Sequence, residues 1–157
     1  MLFRSAEVCE IEGGHALVLH GAGHGIWPLP EMAGFVIQCR YRAHEGIGEI
    51  VLVGSGEPPN HREYQLLMTP DEMELSRRIG DRAEALGYTG YELRPGQWFD
   101  IAVSLTGNLL TVTINGETVI SGEDPEPLVG GTFAFGCLEG EGNAFDDIKV
   151  AGTGVGD

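Results

Sequence analysis

The sequence predicts an all-β domain, a two-sheet antiparallel β-sandwich of the jelly-roll type with about eleven strands. Three observations predict it. Short segments alternate between apolar and polar residues along the 157-residue chain, 25 glycines and 8 prolines are spread between them, and no long stretch has a convincing helical pattern. Many short strands separated by turn residues are typical of sandwiches and jelly rolls.

The clearest strands form a meander in the second half of the chain. Residues 98–105 alternate strictly, and residues 109–114 repeat the pattern after a turn at residues 106–108. Asn115 and Gly116 suit the positive-φ positions of a type I′ turn, so a hairpin continues to Ile120. In that register the facing pairs are Ile114 with Glu117, Thr113 with Thr118 and Val112 with Val119.

Earlier strands follow the same rules. Residues 35–42 alternate, and residues 50–53 form the continuous apolar run of a buried strand. Residues 64–68 and 73–79 flank a proline-containing turn and predict a second hairpin. Further strands are expected at residues 6–11, 16–20, 132–138 and 144–150.

A helix over residues 71–86 is the competing prediction for part of that hairpin. Thr69 or Asp71 could cap it, and the segment is rich in helix-forming residues. Gly80 lies in its middle and favours the hairpin. The two alternatives stay open at the level of the sequence.

Length and charge limit the organisation and the partners. The chain suits one domain, predicted as a sandwich over residues 1–151 with a flexible tail at 152–157. A formal charge of −15 argues against nucleic acid and against anionic membranes, because binding to phosphates needs positive charge. Membrane insertion is not expected, since no apolar run approaches the ~20 residues of a spanning helix.

The cysteines and the N-terminus bear on the compartment. Cys39 and Cys137 fall in apolar strand patterns and are expected to be buried thiols without a disulfide framework. The first residues lack the apolar run of a secretory signal. The protein is therefore expected to be cytoplasmic, or extracellular if it is a module of a larger secreted protein.

Three segments carry a family resemblance. The run GQWFDIAVSLTGNLLTVTINGETVI, the glycine-led strand PLVGGTFAFGC and the closing strand NAFDDIKV resemble the concanavalin A-like lectin and glucanase superfamily, which includes laminin G-like and carbohydrate-binding domains. GFVIQCRYR is also similar to a strand of that family. The resemblance implies a lectin-like jelly roll. It does not fix the activity, because this fold hosts lectins, glycosidases, lyases and adhesive modules.

Catalytic residues are not predicted. Glycoside hydrolysis usually needs paired carboxylates on either side of the scissile bond. The laminarinase-like enzymes of the resembled superfamily carry three acidic residues alternating along one strand, whereas this chain has only Glu72 and Glu74, the former in a predicted turn. A glycoside hydrolase or polysaccharide lyase stays an alternative.

A structural calcium ion is a candidate cofactor. Phe145 and the pair Ile148 and Val150 have opposite parity, so burying all three requires a β-bulge at Asp146–Asp147. A bulge frees carbonyl oxygens beside these carboxylates, and calcium prefers oxygen ligands. The resemblance implies further ligands from the N-terminal strands. The candidates there are Glu10, Glu12 and the Gly13 carbonyl.

Ligand binding is predicted on a polar sheet face. The strand that carries Gln38, Arg40 and Arg42 presents side chains able to hydrogen-bond sugar hydroxyls beside aromatic rings. Trp98 is expected to be structural, at the start of the core strand. The candidate ligand-binding residues are Trp27, Arg40, Arg42, Gln65, Glu74, Arg78, Tyr88 and Tyr91.

The functional prediction is a non-catalytic carbohydrate-binding domain whose partner is a polysaccharide or glycan. A structural or self-assembling protein-interaction module is the alternative, because the sequence shows no compact aromatic platform for sugars. That alternative implies a protein partner or self-association.

Overall fold

The computed structural model describes residues 6–11, 14–19, 23–57, 59–139 and 143–154, and the side chains of residues 31–57, 59–138 and 143–152. These residues contain twelve β-strands and no helix. The strands are β1 (Ala6–Ile11), β2 (Gly14–Leu19), β3 (Gly23–Arg42), β4 (Ile47–Ser55), β5 (Arg62–Met68), β6 (Met73–Ile79), β7 (Arg82–Thr89), β8 (Trp98–Thr106), β9 (Leu109–Ile114), β10 (Glu117–Glu123), β11 (Gly130–Glu139) and β12 (Ala144–Gly154). No helix in this part of the chain is long and apolar enough to cross a membrane.

The 20-residue strand β3 belongs to both layers of the sandwich. Its first half pairs with β11, and its second half pairs with β12 on one side and β8 on the other. The front sheet therefore runs β1-β2-β12-β3-β8-β9-β10, and the back sheet runs β3-β11-β4-β5-β6-β7. All pairings are antiparallel, and the predicted all-β jelly-roll sandwich is confirmed.

The core lies between the sheets because alternate residues of each strand point inward. Phe35, Ile37, Cys39 and Tyr41 of β3 are all buried, and so are the inward-facing residues Phe99, Ile101, Val103 and Leu105 of β8. The Phe35 ring meets Phe133 of the back sheet edge-on, with centroids 6.0 Å apart. Each fully buried large apolar side chain contributes about 1.5–3 kcal/mol. Cys39 and Cys137 are buried free thiols, as predicted.

The hairpin of β5 and β6 is confirmed, and the helix over residues 71–86 is wrong. Thr69 closes the turn: its backbone N–H donates to the Glu72 carbonyl at 2.9 Å, and its hydroxyl accepts from Glu72 N at 3.1 Å. Gly80 has φ 61°, which ends β6 and begins the next turn. The following strand β7 raises the strand count above the predicted eleven.

A bulge corrects the predicted register of β9 and β10. Ile114 pairs with Glu117 and Thr113 with Thr118 as predicted, but Val112 faces Ile120, so the pairing of Val112 with Val119 is wrong. The extra residue turns Ile120 inward, where it is 4% exposed. Burial of Ile120 outweighs the cost of one irregular pair.

The predicted bulge in β12 is confirmed. Asp146 faces Arg40 and Lys149 faces Gln38, so two residues of β12 oppose one of β3. Asp147 takes φ 49°, Phe145 is buried, and Ile148 and Val150 pack against the core. β12 continues to Gly154 and so extends three residues into the predicted tail. The domain boundary itself stays a prediction.

A buried polar cluster ties the segment between β10 and β11 to the back sheet. The Tyr64 hydroxyl donates to Asp124 Oδ2 at 2.7 Å and accepts from Leu128 N at 2.8 Å. Arg77 Nε donates to the same carboxylate oxygen at 3.0 Å. Burial and the hydrogen bond to Asp124 raise the pKa of Tyr64. The buried Asp124 carboxylate is thus compensated by charge and by hydrogen bonds.

Candidate functional site

The outer faces of the two sheets differ in depth. On the back sheet the outward positions Glu49, Gln65 and Ser76 are only 4%, 6% and 2% exposed. On the front sheet the corresponding positions are exposed or half-buried, and the Asp100 side chain is 76% exposed. The back sheet therefore carries outward polar side chains that their neighbours largely cover. We call this surface, made of Glu49, Gln65, Glu74, Ser76 and Arg78 with Tyr88 at its margin, the recessed face.

Strand register brings the recessed residues together. Gln65 of β5 lies opposite Ser76 of β6, and Glu74 lies opposite Tyr88 of β7. Arg78 lies in the neighbouring row, opposite Glu63. Directly opposite side chains in an antiparallel pair are about 4.5–5.5 Å apart at Cβ. The polar groups of three strands thus form one continuous patch.

Hydrogen bonds fix most of the polar groups on the recessed face. Gln65 Nε2 donates to Glu49 Oε2, and Ser76 Oγ donates to Glu74 Oε1 at 3.2 Å. Arg78 Nε is buried and has no acceptor among the described residues. A buried donor without an acceptor costs free energy, so Arg78 is the one guanidinium of this face whose Nε the described residues leave uncompensated.

An aromatic ring stands at the margin of the recessed face. Tyr88 is 60% exposed, and its hydroxyl donates to Glu72 Oε2 at 2.9 Å. This hydrogen bond raises the pKa of Tyr88 above its ordinary value. The ring is held at its hydroxyl end while its surface stays open to solvent, which suits stacking on an apolar surface.

The front sheet carries the arginines. Arg40 and Arg42 lie over the Trp98 ring, at 4.9 and 5.2 Å from its centroid. Arg40 is also 3.9 Å from Asp100 and 4.0 Å from Asp146. Trp98 opens β8 on the outer face and is half-buried, because the inward parity of the strand begins at Phe99.

The predicted ligand residues therefore divide between two surfaces. Arg40 and Arg42 lie on the front sheet, whereas Gln65, Glu74, Arg78 and Tyr88 lie on the recessed face, so their placement on neighbouring strands of one sheet is wrong. The reason is that β3 meets β8 and β12, not β5 or β6, along its second half.

Of the other two aromatic candidates, Tyr91 joins neither surface. Tyr91 is partly buried and packs edge-on against Phe99, with centroids 6.1 Å apart. Trp27 lies in β3 opposite Phe133, and its side chain is outside the described residues. Tyr91 thus supports the core.

Sequence reasoning missed Glu49 and Ser76. Glu49 directly precedes the apolar run 50–53, and a carboxylate inside a buried strand is a signal that could have identified it. Ser76 has no such signal, because a serine on a strand is ordinary and its burial depends on the depth of the face.

The acidic pair of the β12 bulge does not fit a calcium ion with the ligands described. Asp146 Oδ1 accepts from Asp147 N at 2.8 Å, and its other oxygen is 4.0 Å from an Arg40 nitrogen. The described residues contain no group of three acidic, histidine or cysteine side chains able to hold a metal. Glu12 and Gly13 lie outside them, and Glu10 is described only as part of β1. The calcium site stays a prediction.

The architecture is similar to that of several lectins and of a carbohydrate-binding module. The VIP36 exoplasmic/lumenal domain in its Ca²⁺/Man3GlcNAc-bound form matches with a TM-score of 0.75 at 12% identity, over 97% of this chain and 84% of that one. The carbohydrate-binding module CBM66 from Bacillus subtilis matches at 0.67 and 9%, over 95% and 93%. The Caenorhabditis elegans galectin LEC-6 matches at 0.66 and 11%, over 96% and 99%. At such identities the likeness shows the fold alone.

Sequence similarity identifies the family to which the chain belongs. The chain belongs to the family of 3-keto-alpha-glucoside-1,2-lyase-like domains, whose model matches residues 6–151. Among curated proteins, none matches the chain. The predicted lectin-type superfamily is supported at the level of the fold, and the more specific laminin G-like resemblance stays a prediction.

Proposed function

We propose that this domain binds a carbohydrate on the recessed face and does not catalyse its conversion. One observation carries the proposal: the exposed Glu74 and the 60% exposed ring of Tyr88 lie opposite each other, next to the outward polar row of Gln65 and Ser76. A polar face beside an exposed aromatic ring offers both hydrogen-bond partners for hydroxyls and a surface for the apolar side of a sugar. The lectin-like fold supports the same function.

The charge of the recessed face favours a neutral saccharide. Glu49 and Glu74 place two carboxylates on the face, against the guanidinium of Arg78. Carboxylates accept hydrogen bonds from hydroxyls but repel a uronate or a sulfate. Gln65 is held by Glu49, so this part of the face is organised before the ligand arrives, which lowers the entropic cost of binding.

A glycan array with matched variants tests the proposal. Tyr88→Ala removes the exposed ring and is expected to weaken binding about two- to tenfold, because an aromatic contact contributes roughly 0.5–1.5 kcal/mol. The control is Leu109→Ala, which truncates a 41% exposed apolar side chain on the front sheet. Folded wild-type protein retained by no glycan, or equal losses in both variants, would overturn the proposal.

Family membership favours a second candidate function on the same face, the elimination named by the family. In a 3-keto-α-glucoside the ketone at C3 acidifies the proton on C2. A base removes that proton, the C1–O bond breaks, and the leaving alcohol takes up a proton while a C1–C2 double bond forms. Glu74 is exposed, accepts a hydrogen bond from Ser76, and is the carboxylate we assign as this base.

Turnover of a 3-keto-α-glucoside distinguishes the two candidates. If the domain is a lyase, the wild type releases the alcohol and forms a conjugated enone that absorbs in the ultraviolet, and Glu74→Gln slows both by about 100-fold or more. Glu84→Gln, a change at another exposed carboxylate, serves as the control. Equal rates in wild type and Glu74→Gln would remove Glu74 as the base, and no turnover at all would leave binding alone.

A further inference from the structure

The front sheet has a cleft at the β12 bulge that is separate from the recessed face. It has a volume of about 360 Å³ and is lined by polar side chains of four strands and the β9–β10 turn. The side chains that matter are those of Gln38, Arg40, Asp100, Thr113, Asp147 and Lys149. A volume of this order is at the lower end of the range for small-molecule sites.

Strand register explains why the cleft exists. Lys149, Gln38, Ala102 and Thr113 lie in one row across β12, β3, β8 and β9. Ala102 has the shortest side chain of the row, so it forms the floor of a gap between longer neighbours. The bulge at Asp147 raises one wall of the gap, and its backbone is held at φ 49°, a strained value for a residue with a side chain.

Both donors and acceptors line this floor. Arg40, Lys149 and Gln38 donate, while Asp100, Asp147 and Thr113 accept. The nearest carboxylate oxygens to Arg40 among the described residues are 3.9 and 4.0 Å away, beyond hydrogen-bond distance. In that part of the chain none of the six side chains hydrogen-bonds another side chain, in contrast to Gln65 and Ser76 of the recessed face.

We propose that this cleft is a second saccharide-binding site, for one or two rings of a neutral sugar. Two cations stand among three nearby carboxylates, Asp100, Asp146 and Asp147, so a strongly anionic ligand would be repelled. Vicinal hydroxyls of a sugar both donate and accept hydrogen bonds, so they can pair with the donors and the acceptors that line the cleft. The cleft and the recessed face lie on opposite sheets.

One domain then binds two sugar chains, or two stretches of one chain, at once. This consequence rests on the proposed function of the recessed face, whereas the cleft itself does not. Two weak sites joined in one rigid body gain avidity on a polymer that reaches both. We expect the cleft to bind about tenfold more weakly than the recessed face, because its side chains must be ordered by the ligand.

Backbone amide NMR shifts test the inference, with maltohexaose, cellohexaose, laminarihexaose and xylohexaose as the neutral probes. We expect at least one probe to move the amide signals of Gln38, Thr113 and Lys149 with a dissociation constant of its own. Ala102→Leu fills the floor and is expected to abolish these shifts, while Ala102→Ser keeps the space and preserves them. Lys149→Met, at an exposed side chain, removes a donor without touching the core and serves if Ala102→Leu does not fold.

The outcomes separate the two sites. Loss of the cleft shifts in Ala102→Leu with the shifts of Gln65 and Tyr88 retained supports the second site. Cleft shifts without any change at the recessed face would sustain the second site and overturn the proposed function instead. The inference would be overturned if none of the four probes shifted the amide signals of the cleft. It would also be overturned if the wild type, Ala102→Leu and Lys149→Met showed equal shifts.

Discussion

The two outer faces of this sandwich are built from similar residues and behave differently. Gln65 on the back sheet is 6% exposed and bonded to Glu49, whereas Gln38 on the front sheet is exposed. Both follow the same outward parity of an alternating strand. Side-chain direction therefore says which residues leave the core, but the depth of the surface decides whether they are fixed in place or free to rearrange.

The largest expected effect compares two tyrosines on the inner and outer sides of the back sheet. Tyr64→Phe removes a donor to Asp124 and the acceptor of Leu128 N, so we expect a loss of about 2–3 kcal/mol in the free energy of unfolding. Tyr88→Phe deletes an exposed hydroxyl and should change it by less than about 0.5 kcal/mol. Urea unfolding of both variants measures the difference, and equal losses would break the comparison.

The same tyrosine predicts a pH dependence. The pKa of Tyr64 is raised in the folded state above its ordinary value of 10.0, so the neutral form is favoured by folding. Its contribution to stability is full below pH 10 and declines as the pH rises above 10. Urea midpoints between pH 9 and 11 should fall less steeply in Tyr64→Phe than in the wild type. The pKa values of Cys39, Tyr41 and Tyr88 are also raised in the folded state, and these groups account for a remaining slope.

An identical substitution on the two faces sharpens the comparison further. Gln65→Leu removes the donor to the buried Glu49 carboxylate, and we expect a loss of about 1.5–2 kcal/mol. Gln38→Leu, at an exposed position, should stay within about 0.5 kcal/mol of the wild type. If Gln38→Leu proved the more costly change, the assignment of depth to the back sheet would be wrong.

The smallest expected effect concerns the arginines on Trp98. Trp98→Leu removes two cation–π contacts at a half-buried position, which contribute about 0.5–1 kcal/mol each at exposed sites. We expect a total loss of about 1 kcal/mol, because leucine retains part of the packing. Thermal unfolding measures it, with Leu109→Ala as the surface control on the same sheet. If Trp98→Leu lowered the free energy of unfolding more than Tyr64→Phe does, Trp98 would contribute more than its outer, half-buried position implies.

The apolar pattern of a strand was sufficient to predict a bulge where only one register buries all its apolar residues. The parity mismatch between Phe145 and Ile148 predicted the β12 bulge, because an apolar residue out of phase can be buried only by an extra residue. The bulge in β10 was not visible, since Val119 and Ile120 are both apolar and either could have faced inward. The pattern of that hairpin is compatible with two registers.

The site was harder to predict because it depends on non-local strand order. Alternation showed that Arg40 and Gln65 point outward, but not that one belongs to the front sheet and the other to the back. That assignment follows from which distant strands pair, and so does the depth that buries Ser76. The sequence showed which polar residues point outward, but it did not show that they lie on two different sheets.

The long strand β3 has a consequence for folding. All its strand partners, β8, β11 and β12, come later in the chain, the first of them from Trp98 onward. Emerging from the ribosome, β3 must therefore wait for most of the domain before its backbone groups find partners. Pairings between such distant segments form slowly, and an extended strand left unpaired is exposed to association with other chains. We therefore expect the two layers to close through β3 late in folding.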